Sequence, residues 1–120
     1  MLICDAISVT TAADGSATVY SSRRFSGRVI ALIYDGGLDA GADLTITLEN
    51  TGQAVLTKAN AGAATYRPLQ TMQDAADGSD LVISDYIHAV DERLKIVVAQ
   101  GGNAQTGEVK LIYDGYNIAS

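Results

Sequence analysis

Apolar residues alternate from Arg28 to Tyr34 and again from Glu108 to Tyr113, and each stretch closes on the same pentapeptide, Leu-Ile-Tyr-Asp-Gly, at Leu32 to Gly36 and at Leu111 to Gly115. A period of two marks a half-buried β-strand, because successive side chains leave a strand on opposite faces. Aligning the copies sets Ile30, Leu32 and Tyr34 against Val109, Leu111 and Tyr113 on one face, and Ala31 and Ile33 against Lys110 and Ile112 on the other. Asp-Gly at each exit supplies residue types that tolerate the positive φ of a tight turn. Beyond the pentapeptide the copies diverge, Gly37-Leu38-Asp39 opening a long loop and Tyr116-Asn117-Ile118 following the second copy. The repeat therefore reads as one structural solution used twice, not as a gene duplication.

The same alternation recurs along the chain. Ile3 to Thr11 carries Ile3, Ile7 and Val9 on one face, and Ala13-Asp14-Gly15 turns it into Ala17-Thr18-Val19-Tyr20, a predicted hairpin. Leu44, Ile46 and Leu48 alternate with Asp43, Thr45, Thr47 and Glu49, and Asn50-Thr51-Gly52 leads to a hairpin partner from Gln53 to Lys58. Leu81 to Val90 is apolar on both faces, which predicts a central strand or one covered on both sides. Asp91-Glu92 predicts a turn into Arg93 to Gln100, with Leu94, Ile96 and Val98 inward, before the last strand from Glu108 to Tyr113. Regularity breaks between Ala59 and Asp80, where Leu69 and Met72, three apart, fit a short helical turn. A connection of that length is expected to be either functional or mobile. About eight strands without a long helix predict an antiparallel β-sandwich, with a jelly roll among the topologies that fit and a closed β-barrel as the alternative.

Composition bounds this picture. A chain of 120 residues fits one domain, spanning 1–120, with an irregular excursion over 59–80. It has no Trp and a single Phe, Phe25, and much of its apolar share is Ala, whose burial removes little area from water. So thin a core predicts support from neighbouring subunits. The formal net charge of −6 argues against a nucleic-acid partner, since phosphate backbones require clustered Lys and Arg. Arg23-Arg24 is the basic doublet, read as a solvated strand end or as a contact to an acidic partner. The opening residues lack the charged and apolar regions of a secretory signal, and no run approaches membrane-spanning length, so synthesis in the cytoplasm and no membrane partner are expected. Cys4 is the sole cysteine, which excludes an intrachain disulfide and predicts a small core residue.

The search for chemistry returns little. His88 is the only histidine, so any nucleophile–histidine–acid arrangement must use it. Ser84, four residues earlier on an extended strand, is too far to share a hydrogen bond with it, and Asp85 and Asp91 fall on the opposite face. A packing role for His88 is expected. One His and one Cys do not make a zinc ligand set. Asp35, Asp39 and Asp43 recur every four residues among glycines, but the spacing lacks the alternate-position pattern of an EF-hand loop, so turn formation and solvation are the expected roles. The Gly-Gly pairs lack the lysine and helix of a phosphate cradle. No cofactor, metal or catalytic residue is assigned, and an enzyme is the disfavoured class.

The run from Arg28 to Thr47, the following Gly52-Gln-Ala-Val-Leu-Thr, and Glu92-Arg-Leu-Lys-Ile-Val-Val-Ala-Gln-Gly-Gly resemble a family of small proteins of tailed bacteriophages and prophages. Those proteins are minor head components, regarded as decoration, cement or stabilising proteins. The resemblance extends from about Arg28 to Tyr113 and rests on strand and turn patterns. It implies a structural virion protein on the capsid exterior that clamps the major capsid protein shell. It also implies a homo-oligomer, a trimer on a local threefold being favoured over a dimer on a twofold. By residue type, Arg23, Arg24, Arg67 and Tyr116 are the candidate partner contacts. The strand ending at Tyr113 is expected at a sheet edge, where it would pair between subunits. The alternatives are a glycan- or receptor-binding module stacking sugars on Tyr20, Tyr66 and Tyr116, and a neck or tail component of the same particle.

Overall fold

The described residues form ten β-strands and no helix: β1 (Leu2–Thr10), β2 (Ala17–Tyr20), β3 (Phe25–Tyr34), β4 (Asp43–Leu48), β5 (Ala54–Lys58), β6 (Ala64–Tyr66), β7 (Leu69–Met72), β8 (Ile83–Glu92), β9 (Leu94–Ala99) and β10 (Thr106–Gly115). The structure, a computed structural model, describes residues 1–72, 76 and 83–116. β1 pairs with β10, β2 with β9, β3 with β8 and β4 with β5, all antiparallel. These pairs form one long ribbon whose tip is the β4–β5 turn. Rolling the ribbon brings β10 against β3 and β9 against β4. Two sheets result, ordered β1-β10-β3-β8-β7 with β6 also on β3, and β2-β9-β4-β5. Apart from β6 and β7, this is the strand order of a jelly roll. The sheets face one another as a sandwich and do not close into a barrel.

The expected excursion after Lys58 contains two of the additional strands. β6 pairs with the C-terminal half of β3, and β7 pairs with the outer side of β8. Leu69 and Met72 thus belong to a strand instead of the expected helical turn. The physical reason is the open row of backbone groups along β8, which β7 satisfies with a ladder that a helical turn does not offer. Gln70 ties this corner together, donating to the Tyr86 carbonyl at 3.1 Å and accepting from Gln53 at 2.6 Å. Residues 73–75 and 77–80, with Leu81 and Val82 of the predicted strand, lie outside the described residues.

The core lies between the sheets. Leu32, Val109 and Leu111 of the larger sheet meet Leu44, Ile46, Leu48, Leu94, Ile96 and Val98 of the smaller one, all buried. Phe25 and Tyr113 close one end, with ring centroids 4.8 Å apart. Tyr34 closes the other, its hydroxyl accepting the Leu38 N–H at 3.1 Å. Each copy of the repeated pentapeptide thus contributes a buried Tyr.

Four expectations change. Ile30 does not share a face with Leu32 and Tyr34: Ala31 opposes Ile112 and Val29 opposes Tyr113, leaving Ile30 as the extra residue of a bulge that reverses the strand's phase. β8 is interior, between β3 and β7, as a central strand should be, but it is covered on one face only, since Ile87 and Ala89 are buried while Tyr86 and Val90 are exposed. Cys4 is exposed, because it falls on the outward phase of β1, opposite to Ile3 and Ile7. The strand ending at Tyr113 is interior, flanked by β1 and β3, and β1 is the edge.

Where a turn was expected at Asp91-Glu92, the chain changes sheets. β8 runs through Glu92, and after Arg93 alone β9 begins in the other sheet. Asp91 takes φ of 51° and donates its N–H to Ser26 Oγ at 2.8 Å. Glu92, 1% exposed, accepts the backbone N–H groups of Asn50 at 2.7 Å and Thr51 at 3.2 Å, so a buried carboxylate holds the tip of the ribbon.

Candidate functional site

The outward face of the larger sheet gathers the polar and aromatic groups that the core does not use. Register decides which ones meet. Arg28 on β3 stands opposite Asp114 on β10 and opposite His88 on β8, so three charged or titratable side chains share one row across the sheet. Arg28 forms an ion pair with Asp114 at 2.5 Å and lies over the Tyr86 ring, 5.3 Å from its centroid. The other carboxylate oxygen of Asp114 accepts from the Met1 ammonium at 2.7 Å. These two cations, the ammonium first, hold the Asp114 carboxyl below its ordinary range.

His88 sits beside this row. Its Nδ1 is hydrogen-bonded to the Tyr116 hydroxyl at 2.5 Å, and its Nε2 lies 3.3 Å from Asp85 Oδ2. The ring is 41% exposed, so the expected packing role gives way to a surface hydrogen-bonding one. Strand parity puts Asp85 on the face opposite His88. Its carboxylate nevertheless reaches the imidazole, because a side chain at the solvent boundary can lean around the strand. Asp85 titrates low, chiefly because it accepts the Tyr86 N–H and secondarily because of His88. Ser84 makes no described hydrogen bond to His88, and the described contacts join Tyr116, His88 and Asp85 into one chain.

Two shallow cavities meet at the same end of the sheet. One, about 260 Å³, is lined by Arg24, Phe25, Ser26, Asp91 and Tyr116 among others, and the second, about 290 Å³, by Met1, Ile3, Gly115 and Tyr116. Of the residues proposed from sequence as partner contacts, Arg24 and Tyr116 therefore share a site. Arg24 donates to the Asp91 carbonyl at 3.0 Å, which fixes it at the cavity wall. Arg23 is exposed next to it in the β2–β3 connection, its carbonyl accepting the Ser21 hydroxyl. Arg67 is exposed at the β6–β7 junction, and no described contact joins it to the other three.

Sequence reading missed Arg28, Tyr86, Asp114, Leu69 and Val90. Leu69 opposes Tyr86 across β7 and β8, and both are exposed, as is Val90 further along β8. The signal available was the parity of β8, with Tyr86, His88 and Val90 on one phase. Only knowledge that this phase faces outward turns that list into a surface.

The three tyrosines considered for sugar stacking are dispersed. Tyr20 is on β2 of the smaller sheet beneath the Arg93 guanidinium, 4.6 Å from its centroid, and Tyr66 is half-buried with its hydroxyl donating to the Gly62 carbonyl. Tyr116 ends the larger sheet. The aspartates of the long loop serve the backbone: Asp35 accepts the N–H groups of Gly37 and Glu108, and Asp43 accepts that of Asn60. Among the described residues, no group of three His, Cys, Asp or Glu side chains is placed to hold a metal ion. No helix of the described residues is long and apolar enough to cross a membrane.

No protein-family profile matches the chain, and no curated protein matches it. Among solved structures it is similar to the exo-β-1,3-galactanase of Phanerochaete chrysosporium, solved with β-1,3-galactotriose, at 14% identity and a TM-score of 0.35 over 92% of this chain and 27% of that one. The chain thus spans about a quarter of that enzyme's length, and a likeness at this level carries no functional weight.

Proposed function

We propose that the protein is a structural binding module of a tailed-phage particle, a capsid decoration or minor head protein that docks on the major capsid protein and stabilises the shell. The observation that carries the reading is the exposed band on the larger sheet, where Leu69, Tyr86, Val90 and Tyr116 are interleaved with Arg28 and His88. Exposed aromatics beside Arg are the composition of protein-binding surfaces. The strand patterns that resemble minor head proteins support the same reading, and so does the jelly-roll topology, which viral capsid proteins use. That last support is an analogy of fold, since lectins and cupins share the topology. A homo-oligomer on the capsid exterior, with the acidic surface turned away from packaged DNA, completes the proposal.

The test is the heat-induced rupture of capsids assembled with and without the protein, together with its position in the particle by electron microscopy. Decoration predicts higher rupture temperature and density on the outer shell. Equal rupture temperatures with no bound density refute it, and density confined to the neck or tail assigns the protein to that part of the particle.

A further inference from the structure

We infer that β1 is a self-recognition edge, through which two copies of the chain associate as an antiparallel β-pair about a twofold axis at Ala6. β10 occupies one side of β1, and among the described residues no strand pairs with the other. The nine residues from Leu2 to Thr10 keep one unshifted register against β10, so this edge is long and free of bulges. Such an edge presents a row of backbone N–H and C=O groups competent to extend the sheet. Natural edges are blunted by charged side chains, Lys above all, by an inward-pointing charge, Pro, a bulge or shortness. β1 has neither Lys nor Pro, and its one charge is Asp5 on the inward phase, whereas β2, β5 and β7 are four or five residues long and β5 ends on Lys58.

The outward side chains say what fits. Leu2, Cys4, Ala6, Ser8 and Thr10 are all exposed and uncharged. Antiparallel pairing centred on Ala6 uses the whole strand and sets Ala6 against its own counterpart, Cys4 against Ser8 and Leu2 against Thr10 of the second copy. On the inward phase Ile3 meets Val9 and Asp5 meets Ile7, so the one carboxylate of the strand does not oppose itself. Cross-strand pairs of this kind add to the ladder, and like charges directly opposite would subtract from it. A second copy therefore satisfies both the backbone and the side chains in one register. This inference stands apart from the capsid reading and concerns the free protein.

The experiment is sedimentation equilibrium on the full chain over a wide concentration range. The average mass is expected to rise from 12.5 kDa towards twice that value. Ala6→Lys, at an exposed position, sets two ammonium groups face to face and is expected to hold the mass at one copy with an unchanged circular dichroism spectrum. A Cys4→Ser, Ala6→Cys double variant is expected to form a disulfide-linked dimer under mild oxidation, while Cys4→Ser, Thr10→Cys is not. A single-copy mass at every concentration overturns the inference, as do a plateau at three copies, dimerisation undiminished by Ala6→Lys, or cross-linking that is no faster at position 6 than at position 10.

Discussion

Leu32 and Leu111, the first residues of the two Leu-Ile-Tyr-Asp-Gly copies, stand directly opposite one another across the β3–β10 ladder, each 1% exposed or less. The repeat is thus a contact with itself: rolling the ribbon brings its copies together at the centre of the larger sheet. Truncating one partner leaves a cavity lined by the other. Leu111→Ala is expected to cost about 2–5 kcal/mol, and Lys110→Ala, one residue away on the exposed phase, no more than about 0.5 kcal/mol. Urea denaturation at constant slope reads both. Comparable midpoints for the two variants would mean that Leu111 is not in the core.

The pairing of β3 with β10 also sets a limit at Gly27. A Cβ there would sit 2.2 Å from the Asp114 carbonyl oxygen, so Gly27→Ala must force the two strands apart and disturb the neighbouring Arg28–Asp114 pair. Gly52 differs in kind: its φ is +72°, but nothing lies within 4 Å of an added Cβ. Gly52→Ala is expected to cost about 1–2 kcal/mol of left-handed backbone strain. Thermal melts should rank Gly27→Ala well below Gly52→Ala, and the reverse order would contradict this close strand pairing.

Tyr34 is 2% exposed, and its hydroxyl is the partner of the Leu38 N–H at the start of the long loop. Tyr34→Phe removes the acceptor and leaves a buried donor unsatisfied, with an expected loss of about 1–3 kcal/mol. Tyr20→Phe, at an exposed residue, is the control and should change stability little. Hydrogen exchange at the Leu38 amide offers a local readout, expected to accelerate in Tyr34→Phe.

Acid weakens the Asp114 contacts in a definite direction. The Met1 ammonium and Arg28 depress this carboxyl below its ordinary value of 3.8. A depressed carboxyl contributes stability that is complete above the unfolded value and is lost as pH falls through the folded one. Any stability gap between wild type and Asp114→Asn should therefore be full near neutral pH and close below pH 3.8. Melting curves across that range check the sign; a gap that widens in acid would contradict it.

Much of the fold was legible because it depends on period two. Leu44, Ile46 and Leu48, and Leu94, Ile96 and Val98, alternate cleanly and are buried as the pattern requires. The bulge at Ile30 was not legible, since an extra residue in one strand is invisible until its partner is known. The same holds for the edge: nothing local to Tyr113 says that β1 will cover it. In β7 the three-residue spacing of Leu69 and Met72 fits a helical turn as well as a strand, and β6, three residues long, is too short to show a period. At the site, Arg24 and Tyr116 were found by residue type, whereas Arg28 and Asp114 meet only through a register joining positions 86 residues apart. His88 was misjudged because strand parity fixes the Cβ direction and not where the Asp85 carboxylate ends.

Docking on a phage shell, the role proposed for this sandwich, is read out by co-sedimentation with shells assembled from the major capsid protein. Saturable binding at a fixed ratio of copies to capsid subunits is expected, lost on joint replacement of the exposed Tyr86 and Val90 by Ser. Protein that stays in the supernatant at every excess, or binding that grows without saturating and ignores those two substitutions, would contradict it.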